Sequence, residues 1–222
     1  MPTFIHEKVE LLPKKPNGRT ILYMQGYGGR RKHSSWHLKV LLNAGYHIYY
    51  LDFYDVFRGG NHKELLNLVD EVDDYVKSHV GVKKDLIIVG VSLGGLIGFN
   101  LLRRHEQLKN LIVITGGDIT HIPSLPQVRR RWNLNKKQLD KLWRPVNIYT
   151  QLGRLSGKNI IMVLPKNDRV INPGEVIDEI NRHKEHNFIK LIRTPGGHYR
   201  TIISQTIVRP RKTLGYIKEL DT

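Results

Sequence analysis

Gly90-Val91-Ser92-Leu93-Gly94-Gly95 holds a serine with glycines two residues before and two after it. An apolar run, Leu86-Ile87-Ile88-Val89, precedes it, and Leu96 to Arg104 reads as a helix. A strand that turns sharply into a helix presents the apex serine as a nucleophile. The apex backbone is strained, and its neighbours must be small for strand and helix to close. A serine hydroxyl attacks poorly until a base takes its proton, and that base needs an acid to fix its tautomer. Among eleven histidines, His198 alone combines a late position with a glycine-rich loop after a strand, Gly196-Gly197-His198. It is the candidate base; the plainer reading is a turn histidine capping the C-terminal helix. The candidate acid is Asp168, in Pro165-Lys166-Asn167-Asp168-Arg169-Val170 after the preceding strand. Its plainer reading is a surface ion pair with Lys166 or Arg169. Asp178 falls inside a helical stretch, and Asp52 ends an earlier strand, where it would organise a turn.

Attack on a carbonyl also needs backbone N–H groups aimed at the developing oxyanion. Leu93, the residue after the serine, supplies one. The loop Gln25-Gly26-Tyr27-Gly28-Gly29 supplies the other through Tyr27. This loop lacks the Lys-Ser/Thr ending of a phosphate-binding P-loop and fits no G-x-G-x-x-G frame. His33 and His37 stand four apart and His183 and His186 three apart, but no carboxylate completes a metal set, so no metal is expected.

These residues need elements to position them. Thr20 to Met24, His47 to Phe53, Leu86 to Val91, Leu111 to Thr115, Asn159 to Leu164 and Phe188 to Ile192 read as strands. Leu65, Leu68, Val69, Val72 and Val76 recur at helical spacing, with Asn61 as N-cap. A helix is expected from about Gly174 to His183, and another from His198 to a break at Pro210. Residues 3–12 add one or two antiparallel edge strands. Alternating strand and helix predicts an α/β fold: a mostly parallel sheet with helices on both faces. Ligands then bind at the carboxyl ends of the strands, where all the candidates above lie.

At 222 residues and 40% hydrophobic content the chain builds a substantial globular core. It has no cysteine, which excludes disulfides and thiolate metal sites. The first twelve residues carry Glu7, Lys8 and Glu10 and show no secretory leader, and no run approaches the roughly 18 apolar residues of a membrane span. A cytoplasmic location is expected. The net charge is +16, unevenly spread. Residues 1–116 hold 16 basic and 11 acidic side chains, and residues 117–222 hold 20 and 9. Arg129-Arg130-Arg131, Lys136-Lys137, Lys141 and Arg144 form one dense group; Arg209, Arg211 and Lys212 form another. Such a field either solubilises the surface or attracts an anionic substrate, membrane or nucleic acid.

With these motifs the chain resembles the α/β-hydrolase superfamily, from about Gly18 to Tyr216. The resemblance rests on Met24-Gln25-Gly26-Tyr27-Gly28-Gly29, Gly90 to Gly95, Asn167-Asp168-Arg169-Val170 and Gly196-Gly197-His198. The order Ser, Asp, His is that of the superfamily. The resemblance implies an eight-stranded sheet, which a chain this short can trim, and a small helical cap inserted at residues 118–157. Residues 1–117 and 158–222 would form the core. Many members carry a histidine where Gln25 stands. The implied activity is that of a serine hydrolase without cofactor, cleaving a carboxylic ester or thioester through an acyl-enzyme on Ser92. Two other readings stand beside it. One is a non-catalytic binding protein on the same scaffold. The other is a basic protein associating with an anionic surface or nucleic acid, although Trp132, Trp143 and Tyr149 read as cap core rather than stacking platforms.

Overall fold

The computed structural model describes residues 4–53, 64–116, 135, 137–138, 141, 144–148 and 152–221. Most of the 118–157 segment, with Arg129 to Arg131, Trp132, Trp143 and Tyr149, lies outside the described residues, as do Gly59, Gly60 and Asn61.

Strands rich in isoleucine, leucine and valine alternate with helices along the chain. In order they are β1 (Glu7–Leu11), β2 (Thr20–Tyr27), α1 (Arg31–Asn43), β3 (His47–Phe53), α2 (Glu64–Tyr75), β4 (Ile87–Val91), α3 (Leu93–Arg104) and β5 (Asn110–Ile114). After the sparsely described segment come β6 (Asn159–Pro165), α4 (Pro173–His183), β7 (Phe188–Thr194), α5 (His198–Ile203) and α6 (Lys212–Glu219). A π-helical turn, Ser204–Val208, continues α5. The strands form one sheet in the order β1-β3-β2-β4-β5-β6-β7. Only β1 is antiparallel, pairing with β3 from Glu7↔Asp52 to Leu11↔Ile48. The fold is an α/β sheet flanked by helices on both faces.

Period-two alternation divides the core into two layers. Leu22, Met24, Ile88, Leu111, Val113, Ile160 and Met162 face α2, α3 and α4. Ile21, Tyr23, Ile87, Val89, Ile112, Ile161 and Val163 face Leu38 and Leu41 of α1 and Tyr216 and Ile217 of α6. The central strands β2, β4, β5 and β6 are buried on both faces, as parallel strands covered by helices must be.

One helix, α1, has no counterpart in the sequence expectation. Helix α1 carries no clean apolar stripe, because its buried face includes Ser34 and His37 as well as Leu38 and Leu41. The C-terminal helical segment breaks at Pro210 as expected, and a further helix, α6, follows it. The proline breaks the π turn from α6, where its missing N–H falls outside the helix.

Lys158, just before β6, is 4% exposed and closes the carboxyl end of α3. Its Nζ donates to the carbonyl oxygens of His105 at 3.1 Å, Glu106 at 3.1 Å and Leu108 at 2.7 Å. These carbonyls follow the last turn of α3, where a cation also meets the negative end of the helix dipole. Burial, with nearby Lys109, pulls the ammonium down to about 8, so it stays largely charged at neutral pH. Lys158→Met fills the same space without donors. It is expected to cost about 2–3 kcal/mol, or about 5–10 °C in Tm by thermal denaturation.

Candidate active site

Ser92 stands between β4 and α3 with φ 50° and ψ −111°. This region is strained for any side chain, and among the described non-glycine residues only Thr115, beyond the end of β5, shares a positive φ. The strain persists because close packing on all sides holds it. A Cβ on Gly94 would sit 2.2 Å from the Met24 carbonyl oxygen, and one on Gly90 would sit 2.5 Å from the Gly94 backbone. The two glycines that the sequence places around the serine let β2, β4 and α3 meet beneath it.

His198 opens α5, just after β7, and its ring is almost wholly buried. Its Nε2 lies 3.0 Å from Ser92 Oγ across 106 residues of chain. Its Nδ1 lies 2.9 Å from Asp168 Oδ2. The Asp168 side chain is fully buried. Its other oxygen, Oδ1, accepts the backbone N–H of Val170 at 2.7 Å and of Ile171 at 3.1 Å. Lys166 and Arg169 therefore flank the Asp168 carboxylate in sequence without being its partners. With Asp168 ionised, Nδ1 carries the imidazole proton, and Nε2 is left to accept from the serine hydroxyl. Asp178 lies within α4. Asp52, read as organising a turn, instead sits inside β3 as a buried carboxylate facing His6 Nδ1 at 3.0 Å.

The end of β2 bends alongside the serine, where its register against β3 slips between Met24 and Tyr27. A Cβ on Gly26 would approach Ser92 Cβ to 3.0 Å, so this loop runs directly past the hydroxyl. Tyr27 is half-exposed at the rim. Leu93 is the first residue of α3, and a helix leaves the N–H groups of its first turn without internal partners.

A buried hydrogen-bond network that the sequence does not announce fixes the loop from behind. Gln25 Oε1 accepts the Gly26 N–H at 3.1 Å, and Gln25 Nε2 donates to Ser34 Oγ. The Tyr23 hydroxyl donates to Ser34 Oγ at 3.1 Å and lies 3.0 Å from His37 Nδ1. His37 Nε2 meets Thr213 Oγ1 at 2.7 Å, linking α1 to α6. Its only sequence signal is Gln25, where the resemblance to the α/β-hydrolase superfamily implies a histidine in many members.

Burial pushes His37 down to about 4. The unfolded chain takes up the His37 proton near pH 6.5 and the native state does not, so His37 weakens the fold as pH falls from 6.5 to 4. The loss saturates at about 3 kcal/mol. His37→Gln lowers stability at pH 7 by disturbing the network. Its Tm is nevertheless expected to fall less steeply than the wild type's between pH 6.5 and 4.5.

A cleft of about 650 Å³ opens over Ser92 and His198. The β2–α1 loop walls one side, and Tyr199, Ile202 and Ile203 with Thr206 and Ile207 wall the other. Among the described residues no helix is long and apolar enough to cross a membrane.

No protein-family model and no curated protein matches the sequence, so the likeness to known proteins is one of structure. The Pyrococcus furiosus esterase Pf2001 superposes with a TM-score of 0.65 at 17% identity, over 96% of this chain and 92% of that one. MGS-MChE2, an α/β hydrolase enzyme from the metagenome of Mar Chica lagoon sediments in Morocco, gives 0.69 at 17% identity, over 97% and 95%. Thermogutta terrifontis esterase 2, in a form phosphonylated by sarin, gives 0.68 at 13% identity, over 96% and 87%.

Proposed function

We propose that this chain, which has the α/β-hydrolase fold, is a serine hydrolase that cleaves a carboxylic ester or thioester through an acyl-enzyme. The reading rests on the 3.0 Å approach of Ser92 Oγ to His198 Nε2, with Asp168 at 2.9 Å on the far side of the ring. In the first half-reaction Ser92 Oγ bonds to the substrate carbonyl carbon as His198 Nε2 takes its proton. The N–H groups of Leu93 and Tyr27 hold the oxyanion. His198 then returns the proton to the leaving alcohol or thiol as the carbon–heteroatom bond breaks. In the second half-reaction water adds to the acyl-serine, and His198 takes one of its protons. The proton passes back to Ser92 Oγ as the acid departs. Asp168 holds the tautomer and stabilises the imidazolium without taking up the proton itself.

A fluorophosphonate probe tests this directly, because it phosphonylates an activated serine. Wild-type protein labels, Ser92→Ala does not, and excess p-nitrophenyl ester protects the wild type. If neither protein labels, the scaffold serves binding instead. Activity on p-nitrophenyl esters of differing charge at low salt tests attraction of anionic substrates; equal rates across the series exclude it.

A further inference from the structure

The segment that carries His198 is turned inside out. Thr201, Gln205 and Thr206 of α5 and the π turn are buried, whereas Tyr199, Ile203, Ile207 and Val208 are exposed. Tyr199 is 72% and Val208 66% exposed. Tyr199, Ile203 and Ile207 recur four apart, which sets them on one helical face. The buried polar groups have partners. Thr201 Oγ1 meets Thr194 Oγ1 at 2.8 Å, Gln205 accepts from the Tyr216 hydroxyl, and Thr206 donates to the Ile202 carbonyl. The inversion is thus satisfied inside and leaves an apolar stripe outside. The stripe forms one lip of the Ser92 cleft, and Trp36 of α1, 52% exposed, extends it. A contiguous apolar surface of this kind marks an interaction site.

Charge surrounds the stripe. Behind Trp36 lies a second recess of about 500 Å³, lined by Lys39, Arg209, Arg211 and Lys212 and by no carboxylate. The chain has no Asp or Glu from residue 11 to 51 or from 186 to 218, the two stretches that build both lips. Among the described residues Lys32, Lys39, Arg200, Arg209, Arg211 and Lys212 form no ion pair, and Lys39 Nζ lies 5.4 Å from the Trp36 ring centroid.

We infer that this face docks on a bilayer containing anionic phospholipid, with the mouth of the cleft turned toward the membrane. Aliphatic and aromatic side chains enter the boundary between headgroups and acyl chains, and the surrounding cations meet the phosphates. Nucleic acid matches the charge but offers nothing to exposed isoleucine and valine. A second copy matches the apolar stripe, but a two-fold contact would bring the same cations together. Resting on the proposed hydrolase function, this orientation delivers an acyl ester resident in the bilayer to Ser92.

The test is flotation of the Ser92→Ala protein with phosphatidylcholine vesicles and with mixed phosphatidylcholine–phosphatidylglycerol vesicles. Binding is thereby read independently of catalysis. The protein is expected to float with the anionic vesicles, to stay behind with the neutral ones, and to be released by high salt. Combining Arg209→Glu, Arg211→Glu and Lys212→Glu weakens binding about a hundredfold. The same triple change in the Ser92 background leaves hydrolysis of a short soluble ester unchanged. Tyr199→Ser with Val208→Ser weakens vesicle binding but not retention on duplex DNA, and circular dichroism verifies that each variant is folded. Equal partition onto the two vesicle types overturns the inference. So does a Tyr199→Ser, Val208→Ser variant that binds vesicles like its parent, or a dimer in light scattering that this double variant dissociates without any vesicle binding.

Discussion

Asp168→Asn is expected to lower kcat for p-nitrophenyl acetate about 10⁴-fold, with Tm shifted far less than activity. The asymmetry of the carboxylate carries the argument. Oδ1 is committed to the N–H groups of Val170 and Ile171, so an asparagine keeps its oxygen there. Its NH₂ group must then face His198 Nδ1, where Oδ2 stood. An amide N–H can only donate, so Nδ1 becomes the acceptor and the imidazole proton moves to Nε2. Nε2 then points an N–H at Ser92 Oγ and can no longer take the serine proton. The geometry survives and the base is lost. Stopped assays of wild type and variant across neutral pH give the ratio. A variant within tenfold of wild type would mean that Asp168 plays no part in holding the tautomer.

Gly94→Ala is expected to show the largest effect on folding. The new methyl carbon would lie 2.2 Å from the Met24 carbonyl oxygen and 2.7 Å from its carbonyl carbon. Both belong to the backbone of β2, a central strand paired on either side with β3 and β4. Relief requires moving α3 off the sheet or dragging β2, which leads directly into the Gln25 to Gly29 loop. Such overpacking costs about 3 kcal/mol or more, a fall of about 10 °C in Tm. Gly215→Ala provides the contrast. No atom lies within 4 Å of its added Cβ, and it sits inside α6. There alanine restricts the unfolded chain and favours helix, raising stability by up to about 1 kcal/mol. Thermal melts of the two variants should move in opposite directions. Similar melts would show that packing around the serine turn is looser than these contacts require.

The strands were legible because their signal is local. A strand buried on both faces must be an unbroken apolar run, and β4, β5 and β6 are such runs, bounded within a residue or two by what the sequence predicts. The serine turn was equally legible, since only glycine permits the approaches at Gly90 and Gly94. Helix α1 was not. Periodicity reads apolar residues, and half of the buried face of α1 is serine and histidine.

By itself the amino-acid sequence determined the alternating α/β pattern, the strained turn at Ser92, and two loops that end with Asp168 and His198 at the same edge of the sheet. These follow from steric limits on single residues and from hydrophobic runs, both of which act over a few positions. Only the tertiary structure decided which partner each polar group found. It linked Gln25, Ser34, Tyr23, His37 and Thr213 into one buried network, and it turned Tyr199, Ile203, Ile207 and Val208 outward while Thr201 and Gln205 went in. A buried hydroxyl or amide is tolerated only where a partner waits. Here the partners come from strands and helices brought alongside by folding, so their positions cannot be read from neighbours in sequence.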